Sequence, residues 1–235
     1  MNFDINNSAK EKKQLLFLHG YLADRNSFVY QLNFFEKYFE VFAPDLKGFG
    51  QNKGMDYPYS LDDYIKEVEE FKQKHGIIKP HVIAHSFGGR IAIKATAQNN
   101  DFCDKLVLTG SAGLKPKFNL KKCAKKCVFN LLKKVVDRKK LAFFYSSDYN
   151  QLSPIMKESF KLIVREHLDE KLEKINNQTL IINGKLDKDT PVYMAKRLKK
   201  GIKNSQLVVF EGAGHFCFID KPAKFNLLTR EFLTT

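Results

Sequence analysis

One short stretch, residues 81–95 (HVIAHSFGGRIAIKA), constrains the fold of this chain more than any other. Its first half is an apolar run typical of a buried strand, and its second half has a helical pattern, with no loop sequence between them. Ser86 stands at the corner. We therefore expect strained backbone at this serine, with the small residues Ala84, Gly88 and Gly89 allowing strand and helix to approach closely.

A strand that turns directly into a helix is the arrangement of the nucleophile elbow, G-x-S-x-G, which holds a serine hydroxyl out above a sheet. Here alanine replaces the first glycine of the pattern. Because such short patterns also arise by chance, a second interpretation is that Ser86 only caps the following helix. The choice depends on whether the partners of a nucleophilic serine follow in the sequence.

Apolar runs alternate with amphipathic stretches along most of the chain. Strands that alternate with helices form βαβ units, so the sequence predicts an α/β fold with a doubly wound, mostly parallel sheet. The predicted strands are residues 15–18, 38–43, 82–85, 106–109, 180–183 and 207–210, and the predicted helices lie around residues 28–38, 61–74, 89–98, 192–200 and 222–233.

Residues 114–175 interrupt this alternation, because they contain helical patterns but no convincing strand. The first pattern is strongly basic and amphipathic, and a second runs from Pro154 to about His167. We interpret the segment as a helical cap inserted into a core of residues 1–113 and 176–235. A basic amphipathic helix can also lie on a membrane surface. Covering a substrate pocket is, however, sufficient to explain the apolar face of this predicted helix.

The formal net charge of +14 raises the question of an anionic partner. Basic residues are concentrated between Lys115 and Lys140, whereas the segment from Asp62 to Glu70 is acidic. We interpret the basic segment as a solvated surface. The sequence therefore predicts no nucleic-acid partner and no stable insertion into a membrane.

Two features predict a cytoplasmic protein. No apolar run approaches the roughly 20 residues of a membrane span, and the first residues, MNFDINNSAKEKK, lack the apolar core of a secretory signal. The four cysteines, Cys103, Cys123, Cys127 and Cys217, show no framework of the secreted type, so free thiols are expected. Two of them are spaced to share a helix face, but no histidine pair accompanies them, and we predict no metal site.

A nucleophilic serine needs a base that takes its proton and an acid that orients this base. Asp187 follows a predicted strand in LIINGKLDKDTP, and His215 lies in a glycine-containing loop after the next strand, in LVVFEGAGHF. The order serine, aspartate, histidine is the one in which this topology brings a triad to one sheet edge. The simpler alternatives are a structural histidine and an aspartate that caps a turn.

Donors for a developing oxyanion are predicted in LLFLHGYLAD, after the first strand. There His19 and Gly20 would turn the chain so that the Tyr21 backbone N–H points to the pocket, with the Phe87 N–H as the second donor. The positive end of the helix after Ser86 adds to this field. A purely structural role is the alternative for His19, and no cofactor is expected.

Taken together, the segments HGY, DLKGFG, AHSFGG, GKLDKDTP and GAGHF resemble the α/β-hydrolase fold superfamily over the whole chain except the cap. The resemblance is to small bacterial members with a helical lid between the sixth and seventh strands. It implies Ser86, Asp187 and His215 as the catalytic triad, with Tyr21 and Phe87 as oxyanion-hole residues.

The superfamily contains several chemistries. Its haloalkane dehalogenases and epoxide hydrolases carry aspartate at the elbow, so Ser86 argues against both. Its carbon-carbon hydrolases of the 2-hydroxy-6-oxo-dienoate type usually show HGxGPG and a tryptophan beside the catalytic histidine, whereas this chain has HGYLAD and no tryptophan. The resemblance therefore implies a carboxylesterase acting on a small-molecule ester through an acyl-enzyme on Ser86, with the carbon-carbon hydrolase as the alternative.

A third interpretation is a non-catalytic binding module that uses the basic cap to hold an anionic partner. The complete triad counts against it. In DLKGFG the family usually has arginine and histidine where Lys47 and Phe49 stand, a departure that leaves the triad untouched and alters the pocket edge.

Overall fold

The computed structural model describes residues 12–117 and 152–235. The strands are β1 (Gln14–Leu18), β2 (Glu40–Phe42), β3 (His81–His85), β4 (Leu106–Thr109), β5 (Thr179–Gly184) and β6 (Ser205–Phe210). They form one sheet in the order β2-β1-β3-β4-β5-β6, and every pair of neighbours is parallel. The predicted α/β class with a doubly wound parallel sheet is therefore confirmed.

Helices cover both faces of this sheet. They are α1 (Val29–Phe35), α2 (Leu61–Lys74), α3 (Phe87–Gln98), α4 (Pro154–Arg165), α5 (Val192–Gly201), α6 (Cys217–Asp220) and α7 (Pro222–Thr234). Along β1, Leu15 and Phe17 pack in one core with α1 and α7, whereas Leu16 and Leu18 pack in the other with α2, α3 and α5. Because both faces are buried, the strands are almost continuously apolar.

The second strand is shorter than the predicted range of residues 38–43. The backbone N–H groups of Tyr38 and Phe39 both donate to the Phe35 carbonyl, each at 2.9 Å. These amides close the end of α1 and are not available to the sheet. β2 therefore covers only Glu40–Phe42.

Within the segment interpreted as a cap, the structure describes residues 114–117 and 152–175. These residues contain α4 and a 3-10 helix, Asp169–Lys174, and this described part contains no strand. The predicted basic amphipathic helix lies outside the described residues. The division into a core of residues 1–113 and 176–235 and a cap stays a prediction.

Two buried cations of α3 hold the end of α4 against the core. Arg90 Nη1 donates to the carbonyl oxygens of Ile163 and Glu166, at 2.9 and 2.8 Å. Lys94 Nζ lies 2.7 Å from the Glu166 carboxylate and also 2.7 Å from that of Asp62 in α2. The C-terminal end of α4 is therefore held by α3, and Lys94 also links this end to α2.

Two further expectations concern membrane spans and thiols. No helix in the described part of the chain has both the length and the apolar character needed to cross a membrane. Cys103 and Cys217 are buried free thiols, as expected, and burial raises the pKa of each to about 11. Cys123 and Cys127 lie outside the described residues.

Both histidines of β3 are buried in the neutral form. Burial lowers the pKa of His81 to about 4, although the Asp104 carboxylate at 3.4 Å raises it in part. Burial likewise lowers the pKa of His85 to about 3. An unfolded histidine takes up its proton near pH 6.5, so below that pH the unfolded chain binds more protons than the folded one. The free energy of unfolding therefore falls as the pH falls from about 6.5 to about 4.

We expect His81→Phe to remove part of this pH dependence. Phenylalanine preserves the edge contact with the Phe39 ring, whose centroid lies 5.8 Å from that of His81, but it cannot be protonated. The slope of the free energy of unfolding should drop by about 1.4 kcal/mol per pH unit between pH 6.5 and 4. Urea unfolding at intervals across this range measures the slope, with the exposed His167→Gln as the control. An unchanged slope in the His81 variant would contradict the account.

Candidate active site

Ser86 occupies a sharp corner between the end of β3 and the start of α3. Its backbone has φ 49° and ψ −104°, a combination that residues with a side chain rarely adopt. Holding such a residue costs on the order of 1–3 kcal/mol. The Ser86 side chain forms no capping hydrogen bond with α3, which argues against the helix-cap interpretation and agrees with the strained corner expected from the sequence.

Gly88 and Gly89 allow α3 to approach its neighbours as expected. A Cβ atom on Gly88 would lie 2.2 Å from the Leu18 carbonyl oxygen, and one on Gly89 would lie 2.2 Å from Ser111 Oγ. The Gly88 N–H instead donates to the His19 carbonyl at 3.0 Å. This hydrogen bond joins the corner at Ser86 to the loop that follows β1.

The carboxylate of Asp187 is buried and each of its oxygens accepts two hydrogen bonds. Oδ1 accepts the backbone N–H groups of Asp189 at 2.9 Å and Thr190 at 2.8 Å, and Oδ2 accepts the Thr190 hydroxyl at 2.7 Å and the ring of His215 at 2.9 Å. Burial alone raises the pKa of this carboxyl, but the hydrogen bonds from His215 and Thr190 outweigh it and hold the pKa of Asp187 below its usual value. Asp187 is therefore ionised at neutral pH.

The contact between Asp187 and His215 sets the tautomer of the imidazole. An ionised carboxylate can only accept, so His215 Nδ1 carries the proton that it donates to Asp187 Oδ2. The second ring nitrogen, Nε2, then keeps its lone pair, as a general base requires. The Asp187 side chain is fully buried, whereas that of His215 is 13% exposed. Asp187 thus caps a turn with one oxygen and orients the histidine with the other.

Ser86 and His215 line the same cleft, which has a volume of about 940 Å³. Ser86 is half-buried, and its hydroxyl forms no hydrogen bond with any residue in the described ranges. In the absence of substrate, catalytic hydrogen bonds are often long or unformed. The structure therefore brings serine and histidine to one cleft with the acid–base pair already assembled.

Apolar and aromatic side chains form most of the described cleft wall. The larger of these are Tyr21, Leu22, Leu152, Phe160 and Phe216, and the smaller are Ala23 and Ala112. Tyr21 connects this wall to α4, because its hydroxyl donates to the Met156 carbonyl at 3.1 Å and its ring lies 5.2 Å from that of Phe160. The cleft therefore offers a substrate an apolar surface beside Ser86.

The two predicted oxyanion-hole residues lie beside the corner. Phe87 is the first residue of α3, where a backbone N–H has no acceptor within the helix. Tyr21 lines the cleft, and its ring meets that of Phe87 edge-on at 5.5 Å. Phe49, where the family usually has histidine, packs edge-on against Tyr21 at 4.9 Å. The role of the two N–H groups in stabilising an oxyanion stays a prediction.

His19 has the structural role that the sequence left open. Its Nε2 accepts the Leu46 N–H at 3.0 Å, so its Nδ1 donates to the Gly20 carbonyl at 2.8 Å. Burial lowers the pKa of His19, which keeps the ring neutral. His19 therefore links the loop after β1 to the segment that follows β2 through these two hydrogen bonds.

Two residues that contact His215 were missed by the sequence analysis. The Thr190 hydroxyl lies 3.3 Å from His215 Nδ1 besides donating to Asp187. His85 Nε2 lies 3.2 Å from the His215 carbonyl, and the two rings are 4.7 Å apart. Aspartate followed three residues later by threonine is a turn-capping pattern that points to Thr190. The apolar sequence of β3 contains no local pattern that predicts the contact of His85 with His215.

We expect Thr190→Val to lower kcat by about tenfold, because a hydrogen bond to a buried charged group contributes roughly 1.5–3 kcal/mol. Loss of the hydroxyl raises the pKa of Asp187, so activity should also be lost at a higher pH on the acid side. The pH profile of kcat measures both effects. Thr96→Val is the matched control, since Thr96 is also buried and, among the described residues, its hydroxyl is hydrogen-bonded only to the Cys103 thiol, at 3.5 Å. Identical profiles for the two variants would contradict a positioning role.

Asp187, Asp189 and His215 each place a potential metal-ligand atom within 4.8 Å of the other two. Both oxygens of Asp187 already accept hydrogen bonds, and Oδ2 is directed to the protonated Nδ1 of His215. This donor set fits a hydrogen-bonded acid–base pair better than a metal site. The predicted absence of a metal and of a cofactor stays a prediction.

Comparison with known proteins points to one family. The family model described as alpha/beta hydrolase fold matches residues 13–134, and a second, described as TAP-like protein, matches residues 162–235. The chain is 29% identical to an AB hydrolase superfamily protein of Bacillus subtilis, YisY, over 94% of this chain and 91% of that protein. It is 24% identical to a monoacylglycerol lipase of Xenopus laevis, over 95% of this chain and 76% of the lipase. A solved meta-cleavage product hydrolase from Pseudomonas fluorescens is 25% identical with a TM-score of 0.74, covering 95% of this chain and 91% of its own.

Proposed function

The chain belongs to the α/β-hydrolase fold family, and we propose that it is a serine hydrolase that cleaves a carboxylic ester through an acyl-enzyme on Ser86. One observation supports the proposal above all others. The strained Ser86 and His215 line one cleft, and Asp187, from a third part of the chain, is hydrogen-bonded to His215 behind it. This is the arrangement that nucleophilic acyl transfer requires.

In the first half-reaction, Ser86 Oγ attacks the ester carbonyl carbon while its proton moves to His215 Nε2. The carbonyl oxygen becomes negative and accepts hydrogen bonds from the Tyr21 and Phe87 N–H groups. Ionised Asp187 stabilises the imidazolium that has formed. The tetrahedral intermediate then breaks its bond to the alcohol oxygen, and the alcohol leaves with the proton from Nε2.

Water completes the reaction. It attacks the acyl carbon of the Ser86 ester while His215 Nε2 takes one of its protons. The second tetrahedral intermediate expels Ser86 Oγ, which recovers the proton from Nε2, and the carboxylic acid leaves. The enzyme returns to its starting state without an external redox or metal reactant.

The apolar wall around Ser86 supports an ester whose acyl or alcohol group is apolar. A screen of the purified protein against p-nitrophenyl esters of graded acyl length, beside a ring-cleavage dienoate, tests the proposal. We expect turnover of the esters and none of the dienoate. Failure to hydrolyse any ester would overturn the ester assignment.

A carbon-carbon hydrolase of the 2-hydroxy-6-oxo-dienoate type is the second candidate. The 25% identity with the meta-cleavage product hydrolase of Pseudomonas fluorescens favours it. The absence of HGxGPG and of tryptophan counts against it. Turnover of the dienoate with no turnover of the esters would select this candidate.

We propose that the basic segment between Lys115 and Lys140 has no binding role. We also propose that the enzyme acts in the cytoplasm. A binding module would hold its anionic partner independently of the triad. Tight, salt-sensitive binding of nucleic acid or anionic vesicles by a Ser86→Ala variant would therefore favour the binding module. We expect no such binding.

A further inference from the structure

Asp189 borders the candidate active cleft in the loop that follows β5. Its side chain is exposed, and a carboxylate oxygen lies within 4.8 Å of both a ring nitrogen of His215 and a carboxylate oxygen of Asp187. Its backbone N–H donates to Asp187 Oδ1 at 2.9 Å. The Asp189 carboxylate forms no hydrogen bond with Asp187 or His215, and it borders the space that a substrate enters.

The described cleft wall contains no cation that offsets this charge. Neither lysine nor arginine is among its lining residues in ranges 12–117 and 152–235, and Asp189 forms no ion pair within those ranges. Lys188 is exposed but does not line the cleft, and Lys185 is paired with Glu211 at 3.3 Å. A charged substrate group at this wall therefore lies close to the negative charge of the Asp189 carboxylate.

We propose that Asp189 selects substrates by charge. Esters with a cationic group close to this wall are cleaved faster than neutral esters, and esters with a carboxylate there are cleaved more slowly. The inference rests on the serine hydrolase function proposed above. For charges a few ångströms apart at a partly solvated site, we expect a change in kcat/KM of about tenfold in each direction.

This selection also separates the two candidate reactions. A 2-hydroxy-6-oxo-dienoate carries a carboxylate, which the apolar side chains of the described cleft wall do not neutralise and which Asp189 repels. A neutral ester meets no such penalty. The position of Asp189 therefore favours ester substrates over ring-cleavage dienoates.

Three p-nitrophenyl esters of similar length test the inference. The acyl groups are 6-aminohexanoate, heptanoate and adipate, so the far end is cationic, apolar or anionic. The wild-type kcat/KM should decrease in that order, and high salt should compress the differences. In Asp189→Asn, the ratio of the cationic to the anionic ester should fall by about tenfold or more, and in Asp189→Lys it should invert.

The control variant is Glu211→Gln, which removes one exposed negative charge from the loop after β6, outside the cleft wall. It should leave the charge ratio within about twofold of wild type, because the charge lies outside the cleft and is screened by solvent. A wild-type preference for the adipate ester, or an equal ratio in Asp189→Asn and wild type, would overturn the charge-selection inference. If the wild type hydrolysed none of the three esters, the proposed ester hydrolysis itself would fall, and the charge-selection inference with it.

Discussion

Replacing Ser86 by alanine should lower ester turnover by about 10⁴-fold or more, the range found when the nucleophile of a triad is removed. Alanine keeps the Cβ atom and leaves the cleft open, but it supplies no oxygen to attack the carbonyl. His215 and Asp187 lose their function together with the serine, since without the acyl-enzyme on Ser86 neither half-reaction can proceed. The kcat for the best ester of the screen measures the loss.

The Ser86→Ala result is informative only if the variant is folded. The Ser86 side chain makes no hydrogen bond within the described residues, so its removal should not change the free energy of unfolding by more than about 0.5 kcal/mol. Circular dichroism and urea unfolding check this point. A well-folded Ser86→Ala protein with near-normal esterase activity would contradict the assignment of the nucleophile.

Asp187→Asn should lower kcat by about 10⁴-fold, because an amide at this position favours the wrong tautomer of the histidine. The amide nitrogen donates to His215 Nδ1, the proton moves to Nε2, and Nε2 can no longer accept the serine proton. The amide also replaces a carboxylate oxygen that accepts the Thr190 hydroxyl at 2.7 Å. Steady-state kinetics with a neutral ester measures the loss.

Asp189→Asn is the matched comparison, since the two carboxylates are two residues apart in GKLDKDTP. Of these two carboxylates, only that of Asp187 is hydrogen-bonded to His215. The Asp189 variant should therefore lose far less turnover of a neutral ester than the Asp187 variant. The opposite ranking would show that Asp189, and not Asp187, serves the histidine.

The parts of the fold that follow from hydrophobic pattern were predictable from the sequence. Four of the six strands lie within one residue of their predicted ranges, because both faces of the sheet are buried and the apolar runs are continuous. β6 begins two residues before its predicted start and ends where predicted. β2 was predicted too long, since Tyr38 and Phe39 are apolar for a different reason: they complete the turn after α1. Local pattern does not distinguish these two uses of an apolar residue.

The candidate site was predictable where chain order determines position. In a parallel sheet, the loops after β3, β5 and β6 must emerge at the same edge, which brings Ser86, Asp187 and His215 together. The contacts of His85 and the cleft wall at Phe160 depend on packing between distant segments. No local signal in the sequence encodes such packing.

The most direct test of the account is covalent labelling with a fluorophosphonate probe. The phosphoryl oxygen of the probe takes the place of the oxyanion while its phosphorus reacts with an activated serine hydroxyl. Mass spectrometry of the labelled protein should locate the adduct on Ser86, and Ser86→Ala should abolish it. Labelling of another serine would contradict the account, as would an active esterase that resists the probe. Ser111 should not be labelled, because it is buried and its hydroxyl already donates to the Ala112 carbonyl at 3.1 Å. An adduct on Ser111 would therefore contradict the account most clearly.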